Sequence, residues 1–171
     1  LVNSGVSTIY LLVQYKSLSL NRHLREGWSF LTSELGEYVD PIPPQQRVGE
    51  HWYLGTADAI HQNLYSVEKD NPEFALILSG DHIYKMDYRH LLEFHLERNA
   101  DMTVAAVEVP KEQSAQFGVL EVDDSHRIIG FQEKPTAPKT LPHHPAMSFA
   151  SMGVYVFRTD FMARILEEDA A

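Results

Sequence analysis

Asp81 follows the run "LILSG" (76–80) directly, in the stretch "LILSGDHIYKMDY", and a histidine and a second acid, Asp87, come within a few positions. In open parallel α/β sheets, ligands gather outside the carboxyl ends of the strands, so an acid at that address is placed for binding. Its oxygens are hard donors suited to Mg²⁺, which commonly takes one or two carboxylates and completes its shell with substrate phosphates. Gly80, having no Cβ, admits close approach of backbone or ligand. Asp81 could equally cap the turn or helix that follows it. Asp87, immediately before an amphipathic stretch, suits the cap better, and position alone leaves both readings open.

Lys134 in "QEKP" ends a strand-like run and precedes a proline, so its side chain is presented from constrained backbone. Such a lysine can meet a phosphate as a point charge, or it can be a solvated turn lysine. Gly118, Ser151 and Gly153 carry no signal singly, because a glycine inside a strand often marks a bulge. Trp52 and Tyr53 could stack on a base or sugar, or could anchor their loop to the core. The histidines have no metal-binding spacing: His90 and His95 are five apart, and His143 and His144 lie in a proline-rich stretch, so no zinc site is expected. G-x-S-x-G, a Walker loop and G-x-G-x-x-G are all absent from the sequence.

The elements that must position these residues follow from periodicity. "STIYLLVQY" (7–15) and "EFALILSGD" (73–81) read as strands buried on both faces. "SLSLNRHLREG" (17–27) reads as a helix closing on Gly27. Three prolines and two glycines in "VDPIPPQQRVGEHWYLG" (39–55) predict a long ordered loop rather than a helix or a central strand, and such loops are usually functional. "TADAIHQNLYSVEK" (56–69) predicts one helix with Ala57, Ile60, Leu64 and Val67 inward. "YRHLLEFHLERN" (88–99) predicts another, facing the core through Leu91, Leu92 and Leu96. "DMTVAAVEVP" (101–110) is a further strand, and "FGVLEVDDSHRIIGFQEKP" (117–135) is a hairpin turning at Asp123–His126. A proline-rich excursion then leads to the strand "FASMGVYVF" (149–157). Alternating strands and helices argue for a parallel sheet wound with helices on its faces.

Composition bounds the partners. The 171 residues suffice for one sizeable core, and 44% hydrophobic with 22% charged residues is ordinary for a globular chain. A net charge of −10 repels nucleic acid and anionic membrane, so neither is an expected partner, and any phosphate ligand needs local cations or a metal. No run is long enough for a membrane-spanning helix, and the absence of cysteine is consistent with a cytoplasmic address. The chain begins at Leu1 and stops inside the helical pattern "TDFMARILEEDAA", which reads as an internal piece of a longer protein.

Six segments in order, "PPQQR", "HWYLGTADAI", "SGDHIYKMDY", "FGVLEVD", "FQEKP" and "ASMGVYVF", resemble the sugar-nucleotide pyrophosphorylases, most closely the bacterial glucose-1-phosphate adenylyltransferases. The resemblance runs over nearly the whole chain. It implies a Rossmann-like (GT-A-like) α/β nucleotidyltransferase domain with a mixed, mostly parallel sheet flanked by helices, of which residues 1–171 are a part. It also implies transfer of a nucleotidyl group from ATP to α-D-glucose 1-phosphate, giving ADP-glucose and diphosphate for glycogen or α-glucan synthesis. Asp81 resembles the aspartate that holds a catalytic Mg²⁺. Lys134 and Glu133 resemble the pair that takes the phosphate and the hydroxyls of the sugar phosphate. Gly118, Ser151 and Tyr53 match further sugar-phosphate contacts, Gln45 and Gly55 match the segment against the base, and Trp52 matches a residue coupling allosteric effectors to activity.

The family's Gly-rich triphosphate loop would lie before Leu1. A second metal-binding aspartate and a C-terminal β-helix domain would lie after Ala171, so residues 1–171 alone are expected to be inactive. The family is typically homotetrameric. Two competing readings remain, a non-catalytic regulatory subunit that binds sugar nucleotides, and a pyrophosphorylase using UTP or dTTP.

Overall fold

A computed structural model of the chain describes residues 1–14, 17–31, 35–44, 52–82 and 84–170. They form two compact units, the first from Leu1–Phe74, Lys85–Phe94 and Arg158–Ala171, the second from Ala75–Tyr84 and His95–Phe157.

In the first unit β1 (Thr8–Leu12) pairs in parallel with β2 (Tyr38–Ile42), from Thr8↔Tyr38 to Leu12↔Ile42. The expected long loop therefore begins as a strand. Pro41 is tolerated because among the described residues it pairs with Leu11 alone, and proline is admissible where its missing N–H faces away from a ladder. β1 is shorter than its apolar run and half-buried rather than buried on both faces. Helix α1 (Leu18–Gly27) follows β1 and buries Leu24 alone, leaving Leu18 and Leu20 exposed.

The expected single helix over 56–69 is two, α2 (Thr56–His61) and α3 (Leu64–Lys69). Asn63 explains the break. Its side-chain amide donates to the Ala59 carbonyl at 2.8 Å, displacing the helical backbone bond, while its own N–H turns to Ile60. The inward set changes with it, to Ala59, Asn63 and Leu64, and Ala57 is exposed. The core of this unit gathers Val13, Leu24, Ile42, Tyr53, Leu64, Leu91 and Met162, the last from α5 (Thr159–Ala170).

The second unit is built on a five-stranded sheet of β3 (Phe74–Leu78), β4 (Met102–Pro110), β5 (Gly118–Val122), β6 (Ile128–Glu133) and β7 (Met147–Arg158). β4 runs antiparallel along β7, from Met102↔Phe157 to Pro110↔Met147. β5 pairs antiparallel with β7 at Val119↔Ala150 and Leu120↔Phe149, and with β6 as the expected hairpin. The Asp123 carboxylate ties that turn, accepting from the Ser125 and Arg127 backbone N–H groups, both at 2.9 Å, and from the Ser125 hydroxyl. The sheets are mixed as expected but not mostly parallel: β1–β2 is parallel, whereas the β4–β7, β5–β7 and β5–β6 ladders are antiparallel. Strand–helix alternation could not reveal this, because β7 returns after a hairpin and an excursion rather than after a helix. β3 is half-buried along its length, not wholly buried.

Helix α4 (Tyr88–Glu97) leaves Leu96 exposed. The inward position one residue earlier is His95, 1% exposed, whose Nδ1 lies 2.8 Å from the Thr103 hydroxyl.

Candidate active site

The sheet order creates a gap at one place. β4 occupies one edge of β7 along nearly its whole length, so β5 and β3 must divide the other edge. β5 holds it at Phe149–Ala150, and the end of β3 reaches it at Met152–Gly153. Gly153 has φ +67°, a left-handed backbone that favours glycine, and a Cβ there would lie 3.8 Å from that of Ser79. The glycine the sequence left ambiguous is therefore a bend in β7, beside the point where the chain leaves β3.

Asp81 stands in that departing segment and is exposed. The Ser79 hydroxyl donates to its Oδ1 at 2.5 Å. That bond, with one from the residue's own backbone N–H, holds the Asp81 carboxyl below the usual carboxylate range, so it is an anion at neutral pH. The cap of α4 is Asp87 rather than Asp81, because the helix starts only at Tyr88. Asp87 Oδ1 accepts the Arg89 backbone N–H at 3.1 Å, and the same carboxylate grips the Arg89 guanidinium. His82 follows Asp81, with Nδ1 3.0 Å from the Met152 carbonyl oxygen. Among the described residues none lies within 4 Å of a Cβ built at Gly80.

Ser151 lies on β7 within the gap, and its hydroxyl oxygen accepts the Gly153 N–H at 3.3 Å, which leaves the hydroxyl proton to donate elsewhere. Because Val119 pairs with Ala150, their neighbours Gly118 and Ser151 come at the same end of that ladder. Gly118 in turn pairs with Glu133. Lys134 follows with φ +44°, uncommon for a residue other than glycine, and its N–H closes the hairpin on the Phe117 carbonyl at 3.1 Å. Its Nζ lies 3.6 Å from Glu133 Oε1, and both side chains face solvent. The β5–β6 and β5–β7 registers thus carry Ser151, Gly118, Glu133 and Lys134 to one end of those ladders, and Asp81 leaves β3 beside Met152 and Gly153 of β7.

The remaining candidates belong to the first unit. Tyr53 is 8% exposed, its hydroxyl accepting the Asn63 amide N–H at 2.8 Å, the geometry of a loop anchor rather than of an open contact. Trp52 is 48% exposed. Gly55 is extended backbone ahead of α2, where Asp58 reaches back to the Leu54 N–H at 2.8 Å. Gln45 lies outside the described residues.

Among the described residues no three carboxylate or imidazole side chains gather into a metal-holding group. The donor chemistry at Asp81 still fits Mg²⁺, since one ionised hard-oxygen ligand suffices when substrate phosphates supply others. Sequence reading missed Ser79 and Phe131. Both sit two residues before a flagged acid, the spacing that puts side chains on one face of an extended chain.

The model of the family described as nucleotidyl transferase matches residues 1–171. The chain belongs to that family. Similar proteins include glucose-1-phosphate adenylyltransferases of Methylococcus capsulatus, 49% identical over 99% of this chain and 40% of that protein, and Rhodopirellula baltica, 46% identical over 99% and 38%. That of Koribacter versatilis is 47% identical over 99% of this chain and 41% of its own length. The chain thus spans 38% to 41% of these curated relatives. No helix among the described residues is long and apolar enough to cross a membrane.

Proposed function

We propose that this segment carries the sugar-phosphate half of an active site that transfers an adenylyl group from ATP to α-D-glucose 1-phosphate, releasing diphosphate and forming ADP-glucose for α-glucan synthesis. The observation that carries the reading is the convergence of one acid, one hydroxyl, one glycine and an adjacent Glu–Lys pair at the end of β3–β7–β5–β6. The names of the similar proteins support the choice of substrates.

In this reading a sugar-phosphate oxygen attacks the α-phosphorus and diphosphate leaves, with no covalent enzyme intermediate. The protein contributes position and countercharge. Lys134 takes the phosphate of the sugar phosphate, Glu133 accepts from the sugar hydroxyls, and Gly118 and Ser151 make further contacts with the sugar phosphate. Asp81 would hold Mg²⁺, which supplies positive charge to phosphate oxygens when bound. On a chain of net charge −10, two polyanionic substrates need such local cations to meet. Gln45 and Gly55 are proposed to face the base, Tyr53 to order the loop beside the substrates, and Trp52 to transmit effector binding. The whole protein is proposed to be a cytoplasmic homotetramer.

The test is diphosphate release by the full-length protein with glucose 1-phosphate and each nucleotide in turn. Release should require Mg²⁺ and favour ATP; turnover indifferent to the metal, or faster with UTP or dTTP, would overturn the reading.

A further inference from the structure

Gly118 lies in the ladder opposite Glu133, yet its crowded neighbour is diagonal to it. A Cβ at 118 would stand 2.6 and 2.7 Å from Cζ and Cε2 of Phe131, closer than real Cβ atoms approach anything. The phenyl ring therefore occupies the volume a side chain at 118 would take, within the reach of aromatic rings across a strand pair. The same built Cβ lies 3.3 Å from Glu133 Oε2, so ring and carboxylate flank one point on one face of the hairpin. Their i, i+2 spacing on β6 agrees with that.

Phe131 is 57% exposed, while Val119 and Leu120 on the paired strand are buried. The ring thus keeps one side against β5 and offers the other to solvent, beside a carboxylate and, 3.6 Å from it, the Lys134 ammonium. A hexose phosphate has matching parts: apolar C–H faces, a rim of hydroxyls and a phosphate. A ring orients and excludes water at low entropic cost, whereas the two charged groups supply direction.

We propose that Phe131 is a substrate-contact residue, its ring the platform for the hexose of the sugar phosphate, laid flat because residue 118 is glycine. The proposal rests on the sugar-phosphate reading of Glu133 and Lys134, and Lys134→Ala serves as the separate control for that reading.

The experiment is steady-state kinetics of full-length variants, with thermal melting alongside. Phe131→Leu, which keeps an apolar side chain on β6, should raise KM for glucose 1-phosphate by roughly tenfold, with KM for ATP and kcat within about twofold of wild type. Phe131→Tyr should restore the wild-type value. Gly118→Ala should reproduce the KM increase with little change in melting temperature, since the displaced group is the free end of a ring. Wild-type KM in Phe131→Leu, with KM raised in Lys134→Ala, would sink the platform and leave the sugar-phosphate reading standing. Wild-type KM in both would sink the two together. A Phe131→Leu variant that weakens both substrates while melting earlier would show a structural role and also overturn the proposal.

Discussion

The charged groups of the site are set by very short-range partners. Asp81 owes its low proton affinity to a serine two residues away, and Lys134 owes its direction to a left-handed backbone closed onto Phe117. Asp81→Asn in the full-length protein should lower kcat by about 10² or more, the loss expected when a preorganised charge stabiliser is removed; an unchanged kcat would show that another group holds the metal. Lys134→Ala should instead raise KM for the sugar phosphate by roughly tenfold or more, as for a lost charge-assisted hydrogen bond. Asp81 and Lys134 stand out as single residues because polar groups end apolar runs there, whereas Glu133 entered only through the family resemblance. Phe131 does not stand out, because one more aromatic in an alternating strand looks like packing until its exposure is known.

The elements show where local pattern gave way to neighbours. Asn63 split an amphipathic helix, and Pro41 did not prevent a strand, because among the described residues β2 pairs with β1 alone. The β1–β2 pair is tied to the end of α3 by polar groups instead. The Tyr10 and Tyr38 hydroxyls donate to one oxygen of Asp70 at 2.6 and 2.5 Å. Burial first, and then these bonds, raise both phenols above their ordinary range, while the bonds lower the Asp70 carboxyl. For a raised phenol the stabilisation is whole below the unfolded-state value near pH ~10 and fades as pH rises past it. For the lowered carboxyl it is whole above about pH 4 and fades as pH falls. Replacing both tyrosines by phenylalanine should therefore cost about 1 kcal/mol near neutral pH, a gap narrowing on the alkaline side of pH ~10. Melting curves of the two proteins from about pH 5 to about pH 11, a window that crosses the alkaline limit, would check it, and a constant gap would refute it.

At the scale of the whole molecule, 171 residues match the family model from end to end yet cover only 38% to 41% of its curated relatives. In the proposed reaction between two polyanions, these residues would offer one lysine and one metal-binding acid, on a chain whose net charge is −10. Residues 1–171 expressed alone should consequently show no measurable diphosphate release under conditions where the full-length protein turns over. Comparable turnover by the segment would mean that the groups of residues 1–171 suffice by themselves.

By itself the sequence determined what depends on neighbours along the chain. These are the apolar runs that become strands, the Asp123 turn, the helices before Gly27 and Asn99, and the polar candidates Asp81 and Lys134 at the ends of apolar runs. Only the tertiary structure decided what depends on pairing between distant segments. It set the antiparallel sense of most of the described ladders, the sharing of one edge of β7 by β3 and β5, and the burial of His95 and Asn63 in place of Leu96 and Ala57. Strand register and burial are properties of contacts between residues far apart in sequence, and no local periodicity encodes which edge a strand will find.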